Sequence, residues 1–164
     1  MFPSHDQGGG IKTAGVWHTV ESSASLQTGV WQHVAVVIDL GNTFCKLYIN
    51  GSPDGSDTSF NHFISGNSNP VLIGEGATSG ERYSGLISDV IIFSDAKSAT
   101  DISNIYNNGM PKDESSTSNI AGYWKMGDGD YFPTATDSSG NGNNGTIDNE
   151  IGAEMIQLDT PNGS

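Results

Sequence analysis

The segment from Gly29 to Gly51 constrains the fold of this chain more than any other stretch. It contains two runs of strand-forming residues, 31–40 and 44–50, separated by the turn-forming sequence Gly-Asn-Thr. An Asn-Gly dipeptide closes the second run, so the pattern predicts a β-hairpin. Successive strand side chains point to opposite sides, and both faces of the first run are largely apolar. We therefore expect this strand to be covered on both faces.

Composition extends this prediction to the whole chain. The 164 residues suit one domain, and 22 Gly with only 15% charged residues is typical of short strands joined by many turns. We predict an all-β fold, with a flexible leader or cut loop over 1–10, one domain over 11–158 and a tail over 159–164. Further strands are predicted at 11–20, 70–74, 83–94, 120–126 and 146–158.

Two local patterns complete the predicted architecture. Ser98 followed by Asp101 forms a near capping box, so we predict one short peripheral helix over 98–108. The connection over 52–69 is rich in turn formers and is predicted to contain a tight turn at Asp54-Gly55. The lone cysteine, Cys45, shares a strand face with apolar neighbours and is predicted to be a core residue.

The charge of the chain limits its partners. The net charge is −13 with six Lys and Arg, which leaves no basic patch able to neutralise phosphates. Nucleic acid and anionic membranes are therefore poor partners, whereas cations and neutral glycans are better ones. The alternative is that an acidic surface only keeps an exposed protein soluble. No run approaches the length of a transmembrane helix, so membrane insertion is not expected.

Several segments together carry a family resemblance. GVWQHVAVVID, LYINGS, VLIGEG, YSGLISDVIIFSDAKSATDISNIYNNG and AGYWKMGDG with DSSGNGNNGT resemble laminin-G-like domains of the concanavalin A-like lectin/glucanase superfamily, including its pentraxin-like branch. The resemblance covers roughly residues 15–147 and implies an antiparallel jelly-roll β-sandwich. Members of that superfamily usually carry further strands before the hairpin. We therefore expect a longer polypeptide, or a homo-oligomer or assembly whose subunits complete the sheets.

A second resemblance concerns the origin of the chain. The combination of Trp124, Lys125 and Met126 with DGD and DSSGNGNNG is similar to modular proteins encoded by marine phages. It implies a virion, tail-fibre or other extracellular location.

An enzymatic role is disfavoured because the sequence lacks the spacing of carboxylates that catalysis requires. The glucanases of the resembled superfamily place two carboxylates on one strand face through a Glu-x-Asp-x-Glu or Glu-x-Asp-x-x-Glu pattern, and this chain contains neither. It also lacks a Gly-x-Ser-x-Gly elbow and a His-x-x-x-His pair. We predict a module that is not an enzyme.

Calcium is the predicted cofactor, at two candidate sites. From Asp137, oxygen donors follow the spacing of a calcium loop, with Asp128 and Asp130 as further charges; the first set is Asp137, Ser139, Asn141, Asp148, Asp128 and Asp130. The alternative is a Gly/Asn-rich turn in which Asp137 caps backbone amides. The second site is Glu75 with Glu81, where the resembled pentraxin-like branch carries acidic and amide calcium ligands, although this loop keeps only two carboxylates.

Glycan binding is predicted from aromatic rings beside amide groups. One such group lies in the long C-terminal connection and comprises Tyr131, Phe132, Asn141, Asn143 and Asn144; another comprises Phe60, His62 and Phe63. Aromatic residues also build sandwich cores, so a core role is the alternative for each. We predict a non-catalytic module that recognises a glycan or cell-surface receptor. The alternative is a structural virion decoration or fibre subunit-contact domain that binds no sugar.

Overall fold

The computed structural model describes residues 9–13, 16–23, 25–57, 60, 68–75, 82–127 and 129–148. Within these ranges the chain forms nine strands and one α-helix, and every strand pair is antiparallel. It divides into two compact units, each taken separately below. The first comprises Met1–Ser65 with Asp95–Lys112, and the second comprises Gly66–Ser94 with Asp113–Ser164. No helix in the described part of the chain has the length and hydrophobicity of a membrane-spanning segment.

The predicted hairpin is confirmed as the centre of the first unit. Its strands β3 and β4 pair from Val34↔Ile49 to Asp39↔Phe44. A second hairpin pairs β1 with β2, and β1 begins inside the predicted leader. The strands of this unit are β1 (Gly9–Thr13), β2 (Val16–Val20), β3 (Val34–Asp39), β4 (Phe44–Ile49) and β5 (Ser52–Asp57).

Strand β5 replaces the turn that the sequence predicted at Asp54-Gly55, and that prediction is wrong. The composition of this segment disfavours a strand, but antiparallel pairing with β4 holds it in an extended conformation. The register shifts once along this pair, as in a β-bulge. Gly55 is required there because a Cβ would overlap the carbonyl oxygen of Glu21. The carboxylate of Asp54 accepts a hydrogen bond from the Ser23 backbone N–H at 3.0 Å.

Two apolar clusters cover the two faces of β4. Cys45 and Leu47 point to one side, where they pack with Val20 and Phe60, which confirms the core role of Cys45. Tyr48 points to the other side and packs in a second cluster, together with Val37 and Ile102.

One face of β3 is less covered than the sequence predicted. Ile38 on that face packs against the first cluster. Val34 and Val36, nearer the start of the strand, are 48% and 45% exposed. The expectation of cover on both faces is therefore wrong for these two residues, because the first cluster reaches only the Ile38 end of the strand.

The predicted helix is confirmed as α1, Ala99–Tyr106. The Ser98 hydroxyl accepts from the Asp101 backbone N–H at 3.2 Å, and the Asp101 carboxylate accepts from the Ser98 N–H at 2.9 Å, which completes the capping box. Asn107 ends the helix in the left-handed conformation. The buried face of α1 places Ile102 against β3 and β4.

The second unit contains two further antiparallel strand pairs. Strand β6 (Val90–Phe93) pairs with β7 (Ile120–Trp124), and β8 (Thr134–Ala135) pairs with β9 (Gly145–Thr146). Strands β6 and β7 are shorter than the strands predicted over 83–94 and 120–126. Of the strand predicted over 70–74, the described residues show only an isolated Glu75↔Arg82 pairing beside it. The strand predicted over 146–158 is described only as far as residue 148.

Asp89 precedes β6 in a left-handed conformation, with φ of 53°. The sequence predicts that this carboxylate caps backbone amides or lies near an edge. Its Oδ1 accepts a hydrogen bond from the Tyr123 hydroxyl at 2.8 Å, and its Oδ2 accepts one from the Ser88 hydroxyl, so hydroxyls rather than backbone amides are the partners of this carboxylate. Burial, followed by the hydrogen bond and charge of Asp89, raises the pKa of Tyr123 well above its usual range.

Candidate functional site

Residues 126–148, called the acidic loop below, carry the first predicted calcium set and the first predicted glycan set. The acidic loop follows β7 and contains β8 and β9. Asp128 lies outside the described residues.

Asp137 fastens the acidic loop to β7. Its Oδ1 accepts hydrogen bonds from the backbone N–H groups of Tyr123 at 3.0 Å and Ser139 at 2.9 Å. Its Oδ2 accepts one from the Asn143 N–H at 2.8 Å. The backbone N–H of Asp137 in turn donates to Asn144 Oδ1 at 2.9 Å. One carboxylate thus fixes three backbone positions that lie up to 20 residues apart in sequence.

These contacts keep Asp137 ionised. Only 8% of its surface is exposed. This burial alone would raise the pKa of the carboxyl group. The hydrogen bonds from Ser139, Tyr123 and Asn143 outweigh burial and lower the pKa to about 2. Asp137 is therefore a buried, negatively charged acceptor at neutral pH.

Asp130 closes the other half of the acidic loop in the same way. Its Oδ1 accepts from the Thr136 N–H at 2.7 Å and its Oδ2 from the Gly127 N–H at 3.1 Å. The Thr134 N–H donates to the carbonyl of Tyr131 at 2.8 Å. The short turn that carries Tyr131 is thus closed by a backbone hydrogen bond. Thr136, which follows this turn, is hydrogen bonded to the Asp130 carboxylate.

The roles of Asp137 and Asp130 match the amide-capping alternative for this loop. Both oxygens of each carboxylate accept backbone N–H groups. The Ser139 hydroxyl accepts from the Asn141 N–H at 3.3 Å, and Asp148 is exposed. Across the described residues, no three His, Cys, Asp or Glu side chains form a group that could hold a metal ion. Calcium binding, which can also use amide and carbonyl oxygens, stays a prediction.

The second predicted calcium site is described only in part. The Oε1 of Glu75 lies 3.6 Å from Arg82 Nε, which makes an ion pair. Glu81 lies outside the described residues. This site also stays a prediction.

The aromatic residues of the predicted glycan set are exposed. Tyr131 is 83% exposed and Phe132 is 37% exposed. The N–H of Ile147 donates to the carbonyl of Pro133 at 2.7 Å, so the turn is bonded to the chain that follows β9. Tyr131 is therefore an exposed side chain on a turn whose backbone is held by hydrogen bonds.

The amide residues of the same set lie at the other end of the short β8–β9 ladder. Tyr131 lies beyond the Thr134↔Thr146 pair, and the amides lie beyond the Ala135↔Gly145 pair. Each amide uses one polar atom in the fold: the Nδ2 atoms of Asn141 and Asn143 donate to carbonyls of β7, and Asn144 Oδ1 accepts from Asp137. These contacts do not use the opposite polar atoms, which are Oδ1 of Asn141 and Asn143 and Nδ2 of Asn144.

The other predicted glycan group is described only at Phe60. Phe60 is 1% exposed and belongs to the first core cluster, as the core alternative predicts. His62 and Phe63 lie outside the described residues. Phe60 is therefore unavailable to a ligand.

Trp124 has a role in the loop that sequence reasoning did not find. The alternation of β7 predicts a core residue, and Trp124 is 7% exposed. Its Nε1 also donates to the Asn143 carbonyl at 2.9 Å. No sequence signal indicates this partner, which lies 19 residues away.

The antiparallel strands and the short helix match the β-sandwich class that the sequence predicts. A laminin G family model, described as the concanavalin A-like lectin/glucanases superfamily, matches residues 5–103. The chain belongs to this superfamily, and the predicted fold class is confirmed. The acidic loop lies beyond the matched residues, so its role rests on its own geometry.

Two solved structures are similar to the chain. One is a Bacteroides ovatus protein proposed to bind carbohydrate, with a TM-score of 0.64 and 24% identity over 77% of this chain and 37% of that one. The other is an S-layer domain-containing protein of Clostridium thermocellum, with a TM-score of 0.45 and 28% identity over 59% of this chain and 49% of that one. The chain thus spans less than half the length of either. The comparison with curated proteins gave no match.

Proposed function

We propose that this chain is a non-catalytic carbohydrate-recognition module and that the acidic loop holds its binding surface. The observation that carries the proposal is the 83% exposure of Tyr131 on a turn whose backbone is hydrogen bonded on both sides. The superfamily is lectin-like, and the Bacteroides ovatus protein with a similar fold is itself proposed to bind carbohydrate. An extracellular or virion location belongs to the same proposal.

The chemistry of a sugar suits this surface. One face of a pyranose ring is apolar, so it packs on an exposed aromatic ring, and the surrounding hydroxyls need hydrogen-bond partners. The amide atoms of Asn141, Asn143 and Asn144, at the other end of the β8–β9 ladder, would supply donors and acceptors to further sugar units of the same glycan. Asp137 and Asp130 already hold the loop backbone in place, so glycan binding would cost little conformational entropy of the loop.

A glycan array with matched variants tests the proposal. The wild-type chain is expected to bind a subset of glycans, and Tyr131→Ala is expected to lose that binding. The control is Tyr83→Ala, which removes another exposed tyrosine, 58% exposed, outside the acidic loop. Equal binding by both variants would place recognition elsewhere on the chain. Absence of binding by the wild type, with and without Ca²⁺, would remove the proposal.

A structural role is the second candidate, favoured by exposed apolar residues of the first unit. Val34 and Val36 lie side by side on one face of β3 and are nearly half exposed. A subunit contact between copies of the chain would bury them. Light scattering after size-exclusion chromatography tests this role. A wild-type oligomer that Val36→Lys converts to a monomer would support it, and a monomeric wild type would remove it.

A further inference from the structure

We infer that the acidic loop selects uncharged glycans and rejects glycans that carry carboxylate or sulfate groups. This inference rests on the proposed function, because it assigns the ligand class of the surface at Tyr131. The evidence is the distribution of charge around that exposed ring.

The acidic loop contains carboxylates but no cation. Its sequence has no Lys, Arg or His, and its acidic residues are Asp128, Asp130, Asp137 and Asp148. Asp130 directly precedes Tyr131 in the sequence. The Ile147 N–H donates to the Pro133 carbonyl of the same turn, and Asp148 is the residue after Ile147. An anionic sugar on Tyr131 would therefore approach a loop whose charged side chains are all negative.

The cations of the second unit are already paired. The residue ranges of this unit contain only Arg82 and Lys125 as Lys or Arg. Lys125 Nζ lies 3.2 Å from Asp113 Oδ2, and Arg82 Nε lies 3.6 Å from Glu75 Oε1. Neither supplies the acidic loop with the charge-assisted donor that recognition of a carboxylate or sulfate requires.

The loop does not lose its negative charge near neutral pH. The three backbone donors around Asp137 stabilise the charged form of this carboxylate. Repulsion of anions is thus a fixed property of the surface, and salt should screen it because Tyr131 and Asp148 are exposed.

A glycan array of matched pairs tests the inference with the full chain. Each pair is one oligosaccharide with and without charge: galactan with and without sulfate esters, lactosamine with and without terminal sialic acid, and galacturonan with free or methyl-esterified carboxylates. The methyl ester keeps the sugar and adds bulk but removes the charge, so it separates electrostatic from steric rejection. Binding is measured at about 20 mM and about 0.5 M NaCl, which changes the screening length severalfold.

The expected result is that uncharged members bind about tenfold more tightly than their charged partners at low salt and that high salt narrows this gap. Asp148→Asn is expected to narrow it at low salt as well. Equal or tighter binding of the charged members would overturn the inference and leave the proposed function standing. A gap that salt and Asp148→Asn leave unchanged would also overturn it. Binding of no glycan at all would instead overturn the proposed function, and this inference with it.

Discussion

The backbone N–H of Tyr123 donates a hydrogen bond to Oδ1 of Asp137 at 3.0 Å, across 14 residues of sequence. Tyr123 is 1% exposed in β7, whereas Asp137 belongs to the acidic loop. The bond therefore joins the loop to a rigid, buried strand. Together with the bonds to Ser139 and Asn143, it makes Asp137 the residue on which the loop conformation depends.

Replacement of Asp137 by Ala is expected to destabilise the protein. Three backbone donors would lose their acceptor, and the unfolding free energy should fall by about 2–3 kcal/mol. Urea denaturation followed by circular dichroism measures this change. The matched control is Asp148→Ala, an exposed carboxylate in the same loop, whose effect should stay within about 0.5 kcal/mol. Equal losses in the two variants would contradict the capping role.

The stabilisation from Asp137 should depend on pH. Its pKa is about 2 in the folded protein and near 3.8 in the unfolded chain, so folding favours the ionised form. This contribution is fully present above about pH 4 and is lost as the pH falls toward 2.

Urea denaturation from pH 7 to pH 2 checks this dependence. The stability difference between wild type and Asp137→Asn should be constant above pH 4 and shrink below it. The variant is needed as a reference because the pKa values of Asp39, Asp101 and Asp113 are also lowered, by hydrogen bonds from their neighbours. If the stability difference between wild type and Asp137→Asn does not change from pH 7 to pH 2, the pH dependence of stability would belong to those residues and not to Asp137.

The elements predicted well from sequence are those with local signals. The β3–β4 hairpin follows from two apolar runs and a turn sequence, and α1 follows from the capping box at Ser98. Strand β5 was missed because its residues have low strand propensity and its conformation is set by β4. The core position of Trp124 follows from its place on a strand, but its hydrogen bond to Asn143 does not, since alternation predicts a face and not a contact.

The acidic loop shows the same limit more sharply. The spacing from Asp137 fits a calcium loop and an amide-capped turn equally, because both place carboxylate and amide oxygens in a tight backbone. Only the positions of the Tyr123 and Asn143 N–H groups distinguish the roles of the carboxylate. The sequence likewise does not decide whether Tyr131 is exposed, since an aromatic residue suits both a core and a ligand surface.

The acidic loop is expected to keep its conformation without calcium. Asp137 and Asp130 already accept backbone N–H groups at both oxygens, so the loop has an internal source of stability. The melting temperature should be the same in a chelator and in about 1 mM Ca²⁺, the range in which extracellular modules bind this ion. Calorimetric titration is the direct check. Heat of binding together with a raised melting temperature would support the calcium prediction instead.

The first core cluster should depend on Leu47, which is 2% exposed. Its replacement by Ala leaves a cavity among Val20, Cys45 and Phe60, and should lower the unfolding free energy by about 2–5 kcal/mol. Val34→Ala is the comparison on the neighbouring strand, because Val34 is 48% exposed. Its effect should stay below about 1 kcal/mol. A larger effect at Val34 would show that its face is covered in solution.

The aromatic ring of Tyr131, rather than its hydroxyl, is expected to carry glycan affinity. At 83% exposure the side chain contributes little to the fold, so Tyr131→Ala and Tyr131→Phe should both keep the wild-type melting temperature. Tyr131→Phe retains the ring face and should bind the glycan selected on the array within about threefold of wild type, whereas loss of the ring should cost about tenfold or more. Calorimetric titration with that glycan measures both. A loss in Tyr131→Phe as large as that in Tyr131→Ala would assign the affinity to a hydrogen bond from the hydroxyl and would contradict stacking as its source.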